Sequence, residues 1–220
     1  MKPLILAVDT TREYGSLALS RGQETVADVL LHAPTGFAHV IYGYLEALLV
    51  RTGVAVGEID CFAAASGPGS FTGVRVGLAC IQGLAEALGK QAVAVSNLEA
   101  VASFGTADLR APVLEARRGE VYGAVYNSAG RLVTPETVAR FPLWLESLPA
   151  AGLEFVCLDW YPDLAGTRFA NARVTAAPRA LASAIARIAA ARFERGEARD
   201  PATLDANYVR RSDAELFWKE

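Results

Sequence analysis

Residues 61–77 read CFAAASGPGSFTGVRVG, and the type of fold is decided in this stretch. Its first five residues form a short, continuous apolar run, which is typical of a buried strand. A turn rich in glycine follows, and after Gly73 an apolar helical period continues to about Leu88, where Gly89 can end the helix. A buried strand that turns at once into a long helix is the basic unit of α/β folds.

Similar patterns extend on both sides of this unit. Before it, the sequence predicts three successive strands and then an amphipathic helix, at 3–8, 16–19, 25–31 and about 36–52. After it, a strand at 91–95 leads into Ser96–Glu99, which has the spacing of a capping box. The second half starts a new series, with strands near 112–116, 121–126 and 155–158 and helices at 143–148 and 180–193. The predicted boundary lies in 103–110, which gives domains of 1–104 and 105–220.

Two helices have more apolar surface than one sheet can cover. The stripe of helix 36–52 spans about half its circumference, against the roughly 100° that packing on a sheet requires. The helix that ends at Leu88 is apolar on two sides. The larger residues are Val74, Leu78, Ile81, Leu84, Ala85 and Leu88, and the smaller ones are Val76, Cys80, Gly83 and Ala87. We expect the sheet to cover the larger side and a second helix or a second protein to cover the smaller one.

Composition narrows the classes of protein. The 220 residues are 52% hydrophobic and 20% charged, and charges interrupt each apolar stretch, which indicates a soluble globular protein. The net charge of −3 argues against a broad electrostatic surface for nucleic acid. Three cysteines without a C-x-x-C pair favour a reducing compartment. The first apolar run ends at Asp9, too early for a signal peptide, so we expect a cytoplasmic protein.

Two polar segments could bind a phosphate group. The loop that contains Gly67, Gly69 and Ser70 leads into a helix, where free backbone N–H groups can hold an anion. The segment Asp9-Thr10-Thr11 ends the first strand and could meet a phosphate or a hydrated Mg²⁺. The loop has neither Walker A nor G-x-G-x-x-G spacing, so its spacing alone favours a tight structural turn between strand and helix over a phosphate site. Asp and Thr are also ordinary turn residues.

The sequence predicts no catalytic residue and no metal site. His32 and His39 are the only histidines, and they lie in no metal-binding motif. A protease or general hydrolase would have to recruit one of them, and Ser70 lacks the G-x-S-x-G motif. Glu115–Glu120 forms a charged hairpin tip, for which a solvated turn is the default interpretation. The late segment 207–212 combines a tyrosine with two arginines and could touch a phosphate or form an exposed tail.

Five motifs together resemble the TsaB family, the bacterial partner subunits of the machinery that makes threonylcarbamoyladenosine on tRNA. They are ILAVDTT (5–11), GPGSFTGVRVG (67–77), VSNLEAVA (95–102), EARRGEVY (115–122) and YVRR (208–211). The resemblance implies the α/β fold shared by actin, Hsp70 and sugar kinases, with two lobes that are each built on a mixed five-stranded sheet. One departure is Glu115, where the family pattern has Asp.

The resemblance also implies a function. The catalytic paralog TsaD carries a His-x-x-x-His metal pair, and the matching positions here are Asn97 and Val101. We therefore expect a non-catalytic subunit that pairs with a TsaD-like protein, works with a TsaE-like ATPase, meets tRNA through the complex and forms a homodimer when alone. The expected interface residues, on the helices at 36–52 and 73–88, are Val40, Tyr44, Leu48, Val76, Cys80, Gly83 and Ala87. No cofactor is required, although weak ATP or ADP binding stays open, and the alternative function is a free-standing actin-like ATPase or phosphotransferase.

Overall fold

The structure is a computed structural model that describes residues 2–149 and 152–210. Its elements, in chain order, are β1 (Leu4–Asp9), β2 (Tyr14–Arg21), β3 (Glu24–His32), α1 (Ile41–Thr52), β4 (Cys61–Ala65), α2 (Phe71–Leu88), β5 (Gln91–Val95), α3 (Asn97–Ala102), β6 (Leu109–Glu115), β7 (Glu120–Asn127), β8 (Leu132–Arg140), α4 (Phe141–Ser147), β9 (Leu153–Cys157), β10 (Arg173–Ala176) and α5 (Ala182–Glu194). Strand β4 has the predicted bounds, and α2 ends at Leu88 as predicted.

The described chain forms two compact units. The first comprises residues 2–100 and 179–207, and the second comprises 101–149, 152–178 and 208–210. The sequence placed everything after residue 104 in the second lobe, whereas the structure returns 179–207 to the first. The physical reason is α5, which packs on β1, β2 and β4 of the first sheet. Its buried face consists mainly of alanines, which allow a helix to lie close to a sheet.

Each unit is built on one mixed five-stranded sheet. The strand order is β3-β2-β1-β4-β5 in the first unit and β8-β7-β6-β9-β10 in the second, so both have the order third-second-first-fourth-fifth. In each sheet the first three strands form an antiparallel meander and the last two run parallel to the first. The expected pair of α/β lobes of the actin-like fold is confirmed. The repeat is one of topology, because the sequence shows no close internal repeat.

The strands of the first unit are apolar because helices cover both faces of their sheet. All six residues of β1 are buried, because its sheet is covered by α2 and α5. Helix α2 is long and apolar enough to cross a membrane by length and composition. Here Val74, Leu78, Ile81 and Ala85 pack in the core of the first unit, as predicted for its larger side.

The core of the second unit is centred on aromatic side chains. Trp144 of α4 is 2% exposed and meets Phe155 edge to face, with ring centroids 6.1 Å apart. Phe155 in turn meets Phe169 at 5.4 Å. A Cβ atom at Gly123 would lie 2.3 Å from Cε2 of Trp144, so this position on β7 must be glycine for the indole to pack against the strand.

The largest differences from the sequence prediction concern three elements. Helix α1 begins at Ile41 instead of residue 36, because Gly36 has a φ of 94° and turns precede the helix. The sequence missed β8 and β10. Strand β8 is half exposed and contains Pro135, and β10 has only four residues, so neither has the long apolar alternation that indicates a strand.

Candidate functional site

The segment 66–77, which comprises the glycine-rich turn and the first two turns of α2 and is called the glycine loop below, packs directly against the Thr10–Thr11 turn that follows β1. A Cβ atom at Gly73 would lie 2.1 Å from the carbonyl oxygen of Thr10, and one at Gly77 would lie 2.6 Å from Thr10 Oγ1. A Cβ atom at Gly69 would lie 2.7 Å from Thr11 Cβ. These distances are too short for any side chain, so the loop needs its glycines for contact with the chain itself.

Hydrogen bonds inside the protein use several N–H groups of this loop. Ser70 N donates to the carbonyl oxygen of Thr11 at 2.7 Å, and Gly73 N donates to Ser70 Oγ at 3.3 Å. Gly67 N donates to Oδ1 of Asn97 at 3.0 Å. Because these three donors already have partners, they are not free to hold an anion.

Asp9 and Asn97 complete a buried polar cluster beside the loop. Oδ1 of Asp9 accepts hydrogen bonds from the amide and the hydroxyl of Thr11, at 3.0 and 2.6 Å. Asn97 Nδ2 donates to Thr11 Oγ1 at 2.8 Å. Both Asp9 and Asn97 are fully buried, and within the described residues Oδ2 of Asp9 has no hydrogen-bond partner. The structure thus gathers the predicted phosphate residues Asp9, Thr10, Thr11, Gly67, Gly69 and Ser70 in one place, where Gly69 and Ser70 are exposed and the other four are buried.

The two positions that match the metal pair of the paralog have structural roles here. Asn97 begins α3 and connects the glycine loop to the Thr10–Thr11 turn, as described above. Val101 on the same helix is fully buried. Within 2–149 and 152–210 there is no group of three or more His, Cys, Asp or Glu side chains that could hold a metal ion.

A second candidate site is an apolar groove on the first unit, beside α1 and α2. It has a volume of about 530 Å³. Its lining is apolar apart from Glu46 and the hydroxyl of Tyr42, and consists of Leu6, Tyr42, Leu45, Glu46, Leu49, Val50, Gly53, Val54, Ala55, Val56 and Leu84. Val50 is 76% exposed and Tyr42 is 58% exposed. Large apolar side chains that are this open to water indicate a surface for another molecule.

The predicted interface residues are only partly accessible. Tyr44, Gly83 and Ala87 are exposed, and Val40 and Val76 are half buried. Leu48 and Cys80 belong to the core of the first unit, with exposed fractions of 4% and 3%. The prediction that these two residues lie in an interface is therefore corrected, since the apolar period of a helix does not distinguish a side chain covered by its own sheet from one left open.

Cys80 connects the core to the groove. Burial raises the pKa of its thiol to about 11, and a hydrogen bond with Tyr42 acts in the opposite direction. The pKa of Tyr42 is raised in turn, mainly by the charge that Cys80 would carry. The thiol is therefore protonated at neutral pH, and a protonated buried thiol is a poor nucleophile.

The residues of α1 that line the groove were not predicted from the sequence as a site. Tyr42, Glu46, Leu49 and Val50 are spaced as i, i+4, i+7 and i+8, so they share one face of the helix. The sequence did contain a signal for an exposed apolar surface on α1, because the apolar stripe of this helix is wider than packing on its own sheet requires. The sequence alone did not show which side of the stripe would stay open.

The late basic segment falls partly in the described chain. Arg210 contacts Glu120 on β7, and its guanidinium carbon lies 5.7 Å from the centroid of the Tyr122 ring. Arg211 and Ser212, the rest of the predicted phosphate-contacting segment, lie outside the described residues.

The chain is similar to proteins whose names refer to tRNA threonylcarbamoyladenosine. A family model described as TsaD, tRNA N6-adenosine threonylcarbamoyltransferase, matches residues 33–152. A Bacillus subtilis protein named tRNA threonylcarbamoyladenosine biosynthesis protein TsaB is 32% identical over 149 residues, which are 66% of this chain and 65% of that protein. A Haemophilus influenzae protein of the same name is 36% identical over 123 residues, 54% of this chain and 51% of that protein. The matches therefore span less than two thirds of either relative.

A solved structure extends the likeness beyond these matched stretches. A Pseudomonas aeruginosa protein, described as uncharacterized with similarity to the peptidase YeaZ, is 26% identical and superposes with a TM-score of 0.76. The match covers 94% of this chain and 100% of that one, so the fold is shared over nearly the whole length.

Proposed function

Because this chain belongs to the family that the TsaD model describes, and within it to the TsaB proteins, we propose that it is a non-catalytic dimerisation subunit in threonylcarbamoyladenosine biosynthesis. It pairs with a TsaD-like catalytic subunit and works with a TsaE-like ATPase in the cytoplasm. The complex transfers a threonylcarbamoyl group to N6 of the adenosine beside the tRNA anticodon. In the absence of its partner, the chain forms a homodimer.

The groove beside α1 and α2 is the observation that carries this proposal. An apolar surface with side chains as open as Val50 and Tyr42 is costly to leave in water. Next to the groove, Gly83 and Ala87 give α2 a face of small exposed side chains, on which a partner helix can lie close. The contact surface therefore consists of the groove and the exposed face of α2, and it replaces the predicted set that included Leu48 and Cys80.

The buried polar cluster supports a non-catalytic role. Asn97 stands at the position where the paralog has its first metal ligand. Its side-chain oxygen accepts a hydrogen bond from Gly67 N, and its side-chain nitrogen donates one to Thr11 Oγ1. A side chain that fixes two loops by hydrogen bonds is a structural element of the fold. The second position, Val101, carries no atom that can bind a metal.

The decisive experiment reconstitutes modification with and without this chain. A TsaD-like and a TsaE-like protein are co-expressed with wild type, Val50→Arg, Gly83→Arg or the control Val133→Arg. Val133 is an exposed apolar residue on β8 in the second unit, and nothing lies within 4 Å of a Cβ at Gly83, so all three variants should fold. We expect threonylcarbamoyladenosine and co-purification with wild type and Val133→Arg, and loss of both with the other two. Equal product without this chain would refute the proposed role.

One observation favours the alternative, an actin-like ATPase or phosphotransferase. Oδ2 of Asp9 is buried without a hydrogen-bond partner in the described chain, and a carboxylate oxygen of this kind suits a cation or its water. Titration calorimetry with ATP and Mg²⁺, followed by a turnover assay on the isolated protein, separates the two functions. Tight binding with turnover above about 1 per second would support the enzyme.

A further inference from the structure

The turn between β6 and β7 holds three consecutive residues in the left-handed backbone region. The φ angles of Arg117, Arg118 and Gly119 are 62°, 55° and 74°. Glycine adopts this region freely, whereas any other L residue crowds its own carbonyl oxygen there. A common three-residue hairpin loop places only its last residue in this region. The two arginines therefore occupy positions where glycine or asparagine would be less strained. We call residues 117–119 the arginine turn.

The side chains of the arginine turn are not used by the fold. Arg117 and Arg118 are both exposed, and neither side chain has a hydrogen bond or an ion pair with any residue in 2–149 or 152–210, although the carbonyl oxygen of Arg117 accepts a hydrogen bond from Glu120 N at 3.0 Å. Glu115 is exposed two residues earlier, and it does not pair with them either. A strained backbone whose side chains make no contact inside the protein is typical of segments that act on another molecule.

Two further arginines stand beside this turn. Arg140 is exposed at the end of β8, opposite Glu120 on β7. Arg210 contacts the same glutamate. Phe141 N donates to the carbonyl oxygen of Gly119 at 3.3 Å, which holds the end of β8 against the turn. Four arginines are thus grouped at one corner of the second unit, in a chain whose net charge is −3.

We propose that the arginine turn binds the phosphate backbone of the tRNA substrate. This inference rests on the function proposed above and gives the chain a direct contact with nucleic acid. Guanidinium groups bind phosphate oxygens through paired, charge-assisted hydrogen bonds. Contacts with phosphate position a nucleic acid without reading its sequence, which suits a subunit that orients tRNA for a catalytic partner. A local cluster of this kind does not require the chain as a whole to be basic.

The test separates the charge of the turn from its backbone strain. The affinity of the assembled complex for tRNA is measured at several salt concentrations with three variants of this chain. Arg117→Gly with Arg118→Gly removes the charge and the strain, whereas Arg117→Lys with Arg118→Lys keeps both. The control, Arg21→Ala with Arg131→Ala, removes two exposed arginines from the β2–β3 and β7–β8 hairpin ends.

We expect opposite effects of the glycine variant on binding and on stability. Its tRNA affinity falls about tenfold at moderate salt. The negative slope of log K against log salt concentration becomes shallower by about 2, one for each lost phosphate contact. Its melting temperature rises, because the left-handed strain is relieved. The lysine variant keeps most of the salt slope, and the control matches wild type.

The outcomes distinguish this inference from the proposed function. If the glycine variant binds tRNA like wild type, in a complex that still assembles and makes threonylcarbamoyladenosine, the inference is wrong and the subunit role stands. A similar loss of affinity in the control also overturns it, because the effect would then be one of general charge. If wild type fails to assemble with the TsaD-like protein, the proposed function fails and the inference fails with it.

Discussion

The two units share one strand order but use it differently. In the first unit, the 18 residues of α2 connect β4 to β5, whereas the corresponding connection from β9 to β10 contains turns and no helix within 158–172. The helix after the meander has 12 residues in the first unit and 7 in the second. In the first unit, the two long helices α1 and α2 therefore border an apolar groove. The same strand order therefore carries different helices in the two units, and the partner surface proposed above lies on the first unit.

The largest expected effect comes from Gly73→Ala in the first unit. The new Cβ atom would lie 2.1 Å from a backbone oxygen of Thr10, which a rotamer change cannot relieve. We expect a loss of more than about 4 kcal/mol in the free energy of unfolding, measured in urea, or failure to fold. In Gly83→Ala, on the same helix, the Cβ atom meets nothing within 4 Å, so this control should gain about 0.5–1 kcal/mol. Similar stabilities for the two variants would contradict the close packing of the loop.

Trp144→Ala tests the second unit. The side chain is 2% exposed, and its removal leaves a cavity beside Gly123 and Phe155. We expect a loss of about 3–5 kcal/mol in unfolding free energy, with early proteolysis confined to the second unit. At temperatures where the variant is folded, association with the TsaD-like protein should persist, because the groove belongs to the first unit. Loss of association in folded Trp144→Ala would mean that the comparison of the two units is wrong.

Asn97→Ala probes the buried hydrogen bonds of the first unit. The substitution leaves Gly67 N and Thr11 Oγ1 without their Asn97 partner, which should cost about 2–3 kcal/mol in urea unfolding. The matched control is Asn127→Ala, whose Oδ1 accepts from Ala129 N and Arg131 N in an exposed turn of the second unit. We expect about 1 kcal/mol or less for this control, because water can replace the lost bonds. Equal losses would show that burial of the cluster is unimportant.

The pH dependence of stability tests the buried carboxylate of Glu154 in the second unit. Burial raises the pKa of Glu154, but hydrogen bonds from Thr175, Ala107 and Thr106, together with Arg173, outweigh burial and hold the pKa below its usual range. The three hydrogen bonds measure 2.5, 2.7 and 2.5 Å. The carboxylate therefore stabilises the folded state above the ordinary glutamate pKa of about 4.3, and this contribution is lost as the pH falls through the lower folded value.

Glu154→Gln should remove that pH dependence. We expect the variant to be about 1.5–3 kcal/mol less stable than wild type at pH 7, with the gap closing as the pH falls below about 4. The measurement is urea unfolding of both proteins from pH 7 to pH 3. A gap that stays constant over this range would show that the carboxylate charge contributes nothing at this position.

The sequence predicted the strands of the first unit and the run from β4 into α2 because their apolar periods are strong. It missed β8, whose half-exposed residues and Pro135 give no clear alternation, and β10, which is too short to give a pattern. The return of α5 to the first unit was also missed. Local periodicity shows that a helix has a buried face, but it does not show which sheet will cover that face.

For the candidate sites, the sequence indicated which residues lie together but not which atoms they contact. Asp9, Thr11 and the glycine loop do come together, and only the distances reveal that the glycines accommodate the Thr10–Thr11 turn itself. Cys80 and Tyr42 illustrate the converse. The apolar period predicted Cys80 as an interface residue, whereas the structure buries Cys80 in the core and leaves Tyr42 exposed at the groove.

The late position of α5 in the chain has a consequence for synthesis on the ribosome. Strands β1, β2 and β4 emerge early, but the helix that packs on them is not made until roughly 100 residues later, after all strands of the second unit. At about 5–20 residues per second, this delay lasts roughly 5–20 seconds. During that interval the nascent first unit presents an uncovered apolar sheet face to the cell, so a chaperone has its best opportunity to bind before translation ends.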